Sequence, residues 1–333
     1  MYIRQIIKDE SNSWVVFLKL FFTIIIIFVF TSLFSLPHFI AMKNEFISKG
    51  WILENFILEH KEYNETMINL QALSEMESLE LTSLMQILEP NYNLFLMLLG
   101  FVGMLLAVIL CNKFINGNSF RSLTTSRNKI DFNRIFYSFF IWGLFSAFMI
   151  VLGYLSMPEN YVVNFNLEPF LILVLIVIIL LPIQTSAEEY VFRGYIMQNL
   201  GLITRNRWFP LIASSVAFGL LHGANPEIEK FGNIVFIFYI GSGLFAGIMT
   251  LMDEGMELAL GWHAANNMVA ALLVTADWTA LQTHSVLKDI STPESMPISD
   301  VLIPVLIFFP LMLYIFAKKY NWSDWKGKLF GKI

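Results

Sequence analysis

The sequence predicts an all-α fold, a polytopic transmembrane helix bundle of about eight spans, and three observations predict it. Of the 333 residues, 56% are hydrophobic and 14% charged, a balance more apolar than soluble domains carry. The apolar residues are gathered into long blocks, eight of which reach or approach the ~20 residues a helix needs to cross a hydrocarbon core. Lysine and arginine fall at the ends of those blocks.

The blocks run over about 16–38, 93–112, 135–156, 169–200, 208–223, 232–252, 257–276 and 301–317. The first, with its core from Leu18 to Leu36, follows Arg4, Lys8 and Lys19. It is longer than the apolar region of a secretory signal and no A-x-A-like site follows, so it reads as an uncleaved anchor within an N-terminal region 1–42. Residues 43–91 are hydrophilic with apolar positions at helical spacing: Trp51, Ile52, Phe56, Ile57, then Met67, Leu70, Leu73. That pattern predicts an extracytoplasmic amphipathic helical hairpin serving as lid or spacer. Residues 92–333 form the transmembrane bundle, with its chemical core at about 171–274. The fourth block is too long for one straight crossing, and Pro182 removes a backbone donor near its middle, so a kink or tilt is expected there.

Orientation follows from the basic residues, which are in excess in cytoplasmic loops. They stand between the second and third blocks (Lys113, Arg121, Arg127, Lys129, Arg134), between the fourth and fifth (Arg205, Arg207), and after the last (Lys318, Lys319, Lys326, Lys328, Lys332). Both termini are then cytoplasmic. The short turn from Asp253 to Glu257 is acidic on the same side, an exception that the rule tolerates because acids contribute little to it. The net charge of -5 says little about partners, but no basic stretch is interleaved with exposed aromatics and the Lys and Arg residues cluster at the ends of apolar blocks, which speaks against nucleic acid as a partner. Cys111 is the only cysteine, so there is no intramolecular disulfide and no cysteine metal cage.

Ionisable side chains within spans are costly and mark functional sites. Three segments concentrate them: Ser186-Ala187-Glu188-Glu189 followed by Arg193, then Phe218 with His222, then His263 with Asn267. Glu189 and Arg193, four apart, share a helix face where they can pair, while Glu188 projects about 100° away. At 1.5 Å per residue Glu188 lies roughly 18–20 Å above the turn at Gly201, and His222 roughly 18 Å above Pro210. Asn267 lies roughly 15 Å beyond Glu257. Three helices thus bring polar groups to one depth. The set suits water activation: a carboxylate kept from bulk solvent becomes a general base, a role that fits Glu188 with His222 holding the water. Asn267 and His263 fit the donation of hydrogen bonds to a developing oxyanion.

In order on successive spans, E-E-x-x-x-R, F-x-x-x-H and H-x-x-x-N make the chain resemble the CPBP (Abi) family of CAAX-prenyl-protease-like intramembrane proteins. The resemblance implies a glutamate-dependent endopeptidase opening toward the cytoplasm, in a bacterial cytoplasmic membrane. By it Glu188 and His222 match the water-activating pair, His263 and Asn267 the oxyanion-stabilising pair, and Glu189 and Arg193 the supporting residues. The implied partners are the lipid bilayer and a peptide or protein substrate, lipid-modified or hydrophobic. Other readings stay open. Glu189 and Arg193 read first as a structural ion pair holding two helices together. Two glutamates and two histidines would suffice for zinc, but the absence of H-E-x-x-H and the dispersion of the histidines favour no cofactor. A non-enzymatic immunity or scaffold protein would need the same fold without the chemistry. A proton-coupled transporter would need acids strung across the membrane. His38, His60 and His284 lie away from the cluster and read as incidental.

Overall fold

The computed structural model describes residues 2–3, 5, 12–49, 65–77, 79–291 and 297–333. Arg4, Lys8, the apolar positions Trp51, Ile52, Phe56 and Ile57, and His60 lie outside the described residues. The chain is an α-helical bundle. Helix α1 (Ser13–Ser48) is capped by the Asn12 side chain and extends beyond the predicted span into the segment read as a separate hairpin. Helix α2 (Pro90–Phe114) starts with proline at its first turn and Glu89 as cap. It packs along α1 through Gly100 and Gly103, where an added Cβ would stand 2.4 Å from Ser35 Oγ and 2.6 Å from the Phe30 carbonyl oxygen. Small residues permit such close backbone approach between membrane helices. Helix α3 (Phe132–Ser156) is capped by Asp131 and turns Phe136, Phe140, Leu144 and Phe148 outward at four-residue spacing. A stripe so exposed and so apolar suits lipid, not water.

Helix α4 (Leu167–Thr204) continues for 38 residues, and its stretch Tyr190–Ile196 is π-helical. Helices α5 (Trp208–Leu221), α6 (Val235–Asp253), α7 (Glu257–Leu273) and α8 (Ile298–Tyr320) complete the bundle. Among the described residues six helices are long and apolar enough to cross a membrane, in place of the eight expected. The two that fall short are α5, with 14 residues, and α7, with 17. They are about 21 and about 26 Å long against a hydrocarbon core of about 30 Å. Their sequences looked like full spans because apolar residues predominate in both. Both pack against neighbouring helices: Gly243 of α6 meets the Ser215 backbone of α5, and ten residues of α7 are buried. A helix buried in protein, as α7 is over most of its length, needs no full crossing length.

A three-stranded sheet, in the order β1-β3-β2, covers the end of the bundle where α3 and α7 finish. Strand β1 (Tyr161–Val163) pairs antiparallel with β3 (Leu287–Asp289), in register Tyr161 to Asp289. Strand β2 (Val274–Ala276) continues from α7 and pairs parallel with β3. The opposite end carries the basic segments and is tied together electrostatically. Arg127 lies 2.8 Å from Asp253 and 3.0 Å from Glu257, and Arg134 pairs with the other Asp253 oxygen. Two arginines of the preceding basic segment thus pair with Asp253 and Glu257 of the acidic turn.

The tightest backbone approach is at Gly261 of α7, where an added Cβ would stand 2.0 Å from the Ile135 carbonyl oxygen of α3. Gly261→Ala should destabilise the bundle by about 1–3 kcal/mol, the cost typical of overpacking. A thermal unfolding curve of the full chain in detergent measures it, and an unchanged midpoint would refute the packing described.

Candidate active site

Glu188 and Glu189 occupy the last turn of α4 before its π-helical stretch, a local widening that often accompanies functional sites. Adjacent residues point in different directions round a helix, and the two carboxylates separate accordingly. Glu189, fully buried, receives two groups on one oxygen: Arg193 Nη1 at 3.0 Å, four residues on, and His263 Nδ1 of α7 at 2.8 Å. Arg193 is also fully buried, donates from Nη2 to the Gly243 carbonyl of α6 at 3.1 Å, and lies 4.4 Å from the Phe218 ring centre. One arginine thus ties α4 to both α5 and α6.

The bond to Glu189 fixes the proton of His263 on Nδ1, because a carboxylate only accepts. The second ring nitrogen, Nε2, stands 3.4 Å from Glu188 Oε2. A neutral imidazole presents a lone pair there, and a lone pair facing a carboxylate needs a proton between them. That proton can ride on either group or on a water bridging the two. Glu188 Oε2 is buried and has no hydrogen-bond partner among the described residues.

His222 follows the last residue of the short α5, where the chain passes into a single turn of 3₁₀ helix. Its Nδ1 donates to the Phe218 carbonyl at 2.8 Å, leaving Nε2 as the ring's acceptor. The ring stacks on Tyr239 of α6, with centroids 4.2 Å apart at 24°. Asn267 donates from Nδ2 to Gln184 Oε1 at 2.9 Å and accepts from Asn266 at 3.2 Å. Asn266 in turn accepts from Trp142 Nε1 at 3.2 Å.

One cavity of about 280 Å³ is lined by Glu188, His222, His263 and Asn267 together. Glu189 and Arg193 stand behind it. The sequence reading joined Glu188 to His222, whereas the close contact of the Glu188 carboxyl is with His263. Three further wall residues were missed. Gln184 lies one turn before Glu188 on the same face, a spacing that could have drawn attention to it. Asn266 stands beside Asn267, and Tyr239 is one aromatic among many and carried no signal of its own. Among the described residues no group of three or more His, Cys, Asp or Glu side chains is gathered as metal ligands.

The cavity runs away from the basic end. Its lining includes Asn225, Glu227, Ala280 and Leu281, from the connections that follow α5 and β2, and no residue of 113–134, 205–207 or 318–332. An opening to the cytoplasm and cytoplasmic basic segments were both expected, and the cavity sets them at opposite ends of the bundle.

Residues 167–269 match the family model Rce1-like, described as type II CAAX prenyl endopeptidase Rce1-like. The matched stretch contains every residue from Glu188 to Asn267 that the three motifs singled out. Uncharacterized protein YyaK of Bacillus subtilis (strain 168) is 32% identical over 188 residues, which are 56% of this chain and 63% of that protein. The match therefore spans less than two thirds of that relative's length. No solved structure matches the chain.

Removing Arg193 leaves the buried Glu189 carboxylate with His263 Nδ1 as its remaining partner. Arg193→Met should destabilise the protein by about 3–5 kcal/mol, whereas adding Glu189→Gln to it should recover part of that loss. Unfolding of the two variants in detergent checks the pair, and equal stability of Arg193→Met and wild type would contradict it.

Proposed function

We propose that this chain, which carries an Rce1-like segment over residues 167–269, is an intramembrane endopeptidase in which Glu188 activates a water against a peptide carbonyl. The observation that carries the reading is the sequence of contacts Arg193, Glu189, His263, which ends 3.4 Å from the Glu188 carboxyl in the wall of a cavity. Such a chain holds an imidazole in one tautomer and one orientation, the requirement for a positioned proton carrier.

In the reaction so read, the water oxygen bonds to the carbonyl carbon and its proton passes to Glu188. The proton shared between Glu188 and His263 rests on Nε2 when the water attacks, so Glu188 is free to accept, and from Nε2 His263, with Asn267 through Nδ2, donates to the oxygen that becomes negative. Collapse breaks the carbon–nitrogen bond, and the leaving amine takes the proton that Glu188 accepted. His222, held by Phe218 and Tyr239, positions the water. This gives His263 a place beside Glu188 as well as at the oxyanion.

No resident metal is part of the reading. What supports its omission is the donor set: His263 Nδ1 and Glu189 Oε1 are engaged with each other and with Arg193, which leaves too few adjacent ligands. Met97, Leu98, Phe101 and Phe238 on the cavity wall support a hydrophobic or lipid-modified peptide as substrate. With the basic segments cytoplasmic, cleavage falls in the extracytoplasmic half of the bilayer, and what supports this is the lining by Asn225, Glu227, Ala280 and Leu281.

The full chain in liposomes should hydrolyse a hydrophobic peptide, and Glu188→Gln should lower the rate by about 10²–10⁴-fold, the usual contribution of general acid–base catalysis. A chelator such as 1,10-phenanthroline should leave the rate unchanged. Equal cleavage by wild type and Glu188→Gln would sink the role given to that carboxylate. The membrane side is tested separately in intact cells with a membrane-impermeant maleimide. Cysteine at Lys288 should react and cysteine at Arg121 should not; the reverse pattern returns the cavity to the cytoplasm.

A further inference from the structure

Four residues of the cavity wall carry a buried polar atom with no hydrogen-bond partner among the described residues: Glu188 Oε2, Glu227 Oε2, Ser242 Oγ and Trp262 Nε1. Buried polar groups in folded proteins are paired in the great majority, so orphans gathered on one cavity point to the groups of a ligand. Glu188 has its place in the chemistry already described. Glu227 does not.

Glu227 stands in the short helix Pro226–Phe231, five residues beyond His222 and at the end of the cavity away from the basic segments. The Ala280 N–H donates to its Oε1 at 2.9 Å and so fixes the plane of the carboxyl group. The second oxygen is buried, and among the described residues no cation pairs with it. A carboxylate left so is costly, and its complement is a positive charge brought from outside. The neighbouring wall also carries Phe238 and Tyr239, aromatic residues of the kind that attract an ammonium or guanidinium group.

A second feature carries the same sign. The surface groove next to this end, about 500 Å³, includes Glu229 of the same short helix and Asp277 and Trp278, shortly before Ala280. Its charged residues are Glu80, Glu229, Asp277 and Asp289 against Lys230 and Lys288, an acidic excess. A groove with that excess concentrates cations on the face that bears the short helix of Glu227.

We propose that Glu227 is the specificity-determining carboxylate of this site, receiving the ammonium or guanidinium group of a basic residue in the peptide substrate. The substrate class is then a peptide with an apolar stretch across the scissile bond and a lysine or arginine toward the acidic end. This rests on the endopeptidase reading for the identity of the ligand, but it can fail independently.

The test uses the full chain in detergent micelles with Glu188→Gln as background, so that binding is read without hydrolysis. Three N-acetylated, fluorescein-labelled leucine-alanine peptides serve as probes, one with a single lysine near its end, one with norleucine there and one with glutamate. By fluorescence anisotropy the lysine peptide should bind about tenfold or more tightly than the norleucine peptide. Adding Glu227→Gln, which keeps an acceptor for the Ala280 N–H, should abolish that ratio and leave norleucine binding intact. Adding Glu227→Lys should shift the preference to the glutamate peptide. Equal lysine-to-norleucine ratios with Glu227 and with Glu227→Gln, or no binding of any peptide, overturn the assignment. Hydrolysis of hydrophobic peptides without basic selectivity would sink Glu227 and leave the endopeptidase reading standing.

Discussion

A guanidinium group buried at the centre of a membrane bundle is the constraint on which the rest of the structure depends. Arg193 has no access to solvent, so its charge must be met inside the protein, and Glu189 meets it. That carboxylate has capacity for another donor and holds His263 from a helix distant in sequence. Together with the bond to the Gly243 carbonyl, these contacts set α4, α6 and α7 in a fixed relation. In a low-dielectric interior such bonds are directional and strong, and any displacement of one helix leaves an unpaired charge. The site is therefore held by the same groups that hold the core.

The two short helices are the second element of the design. A helix that crosses the bilayer completely places its ends at the interfaces, and its middle offers only side chains. Helix α5 stops after 14 residues, and the single 3₁₀ turn that follows places the His222 side chain on the cavity wall. Helix α7 likewise ends after 17 residues and hands over directly to β2, which brings the loop bearing Ala280 down onto the cavity.

Charge divides the molecule along its axis. The end that carries Arg127, Arg134, Asp253 and Glu257 is cross-linked by ion pairs and contributes nothing to the cavity wall. The other end carries the sheet, the short helix of Glu227 and a groove with more acids than bases. On the proposed reading, a peptide approaching from there meets acidic groups before the apolar wall and Glu188.

The sequence by itself determined that the chain is an all-α membrane bundle, because the length and apolarity of a block are local properties that read directly as helices in lipid. It also determined which residues stand together: Glu188, Glu189, Arg193, His222, His263 and Asn267 were legible because a polar group in an apolar span has no local reason to be there. Only the tertiary structure decided that two of the eight blocks are part-length, since burial by neighbouring helices, not composition, lifts the need to cross. The partner of Glu188 was likewise invisible, because helix periodicity fixes the face a residue occupies but not the rotation of α7 that turns His263 toward it. Gln184, Tyr239 and Glu227 acquired meaning only from what packs opposite them. The direction of the cavity was also beyond the sequence, because it follows from which loops fold over the site, a contact between segments far apart along the chain.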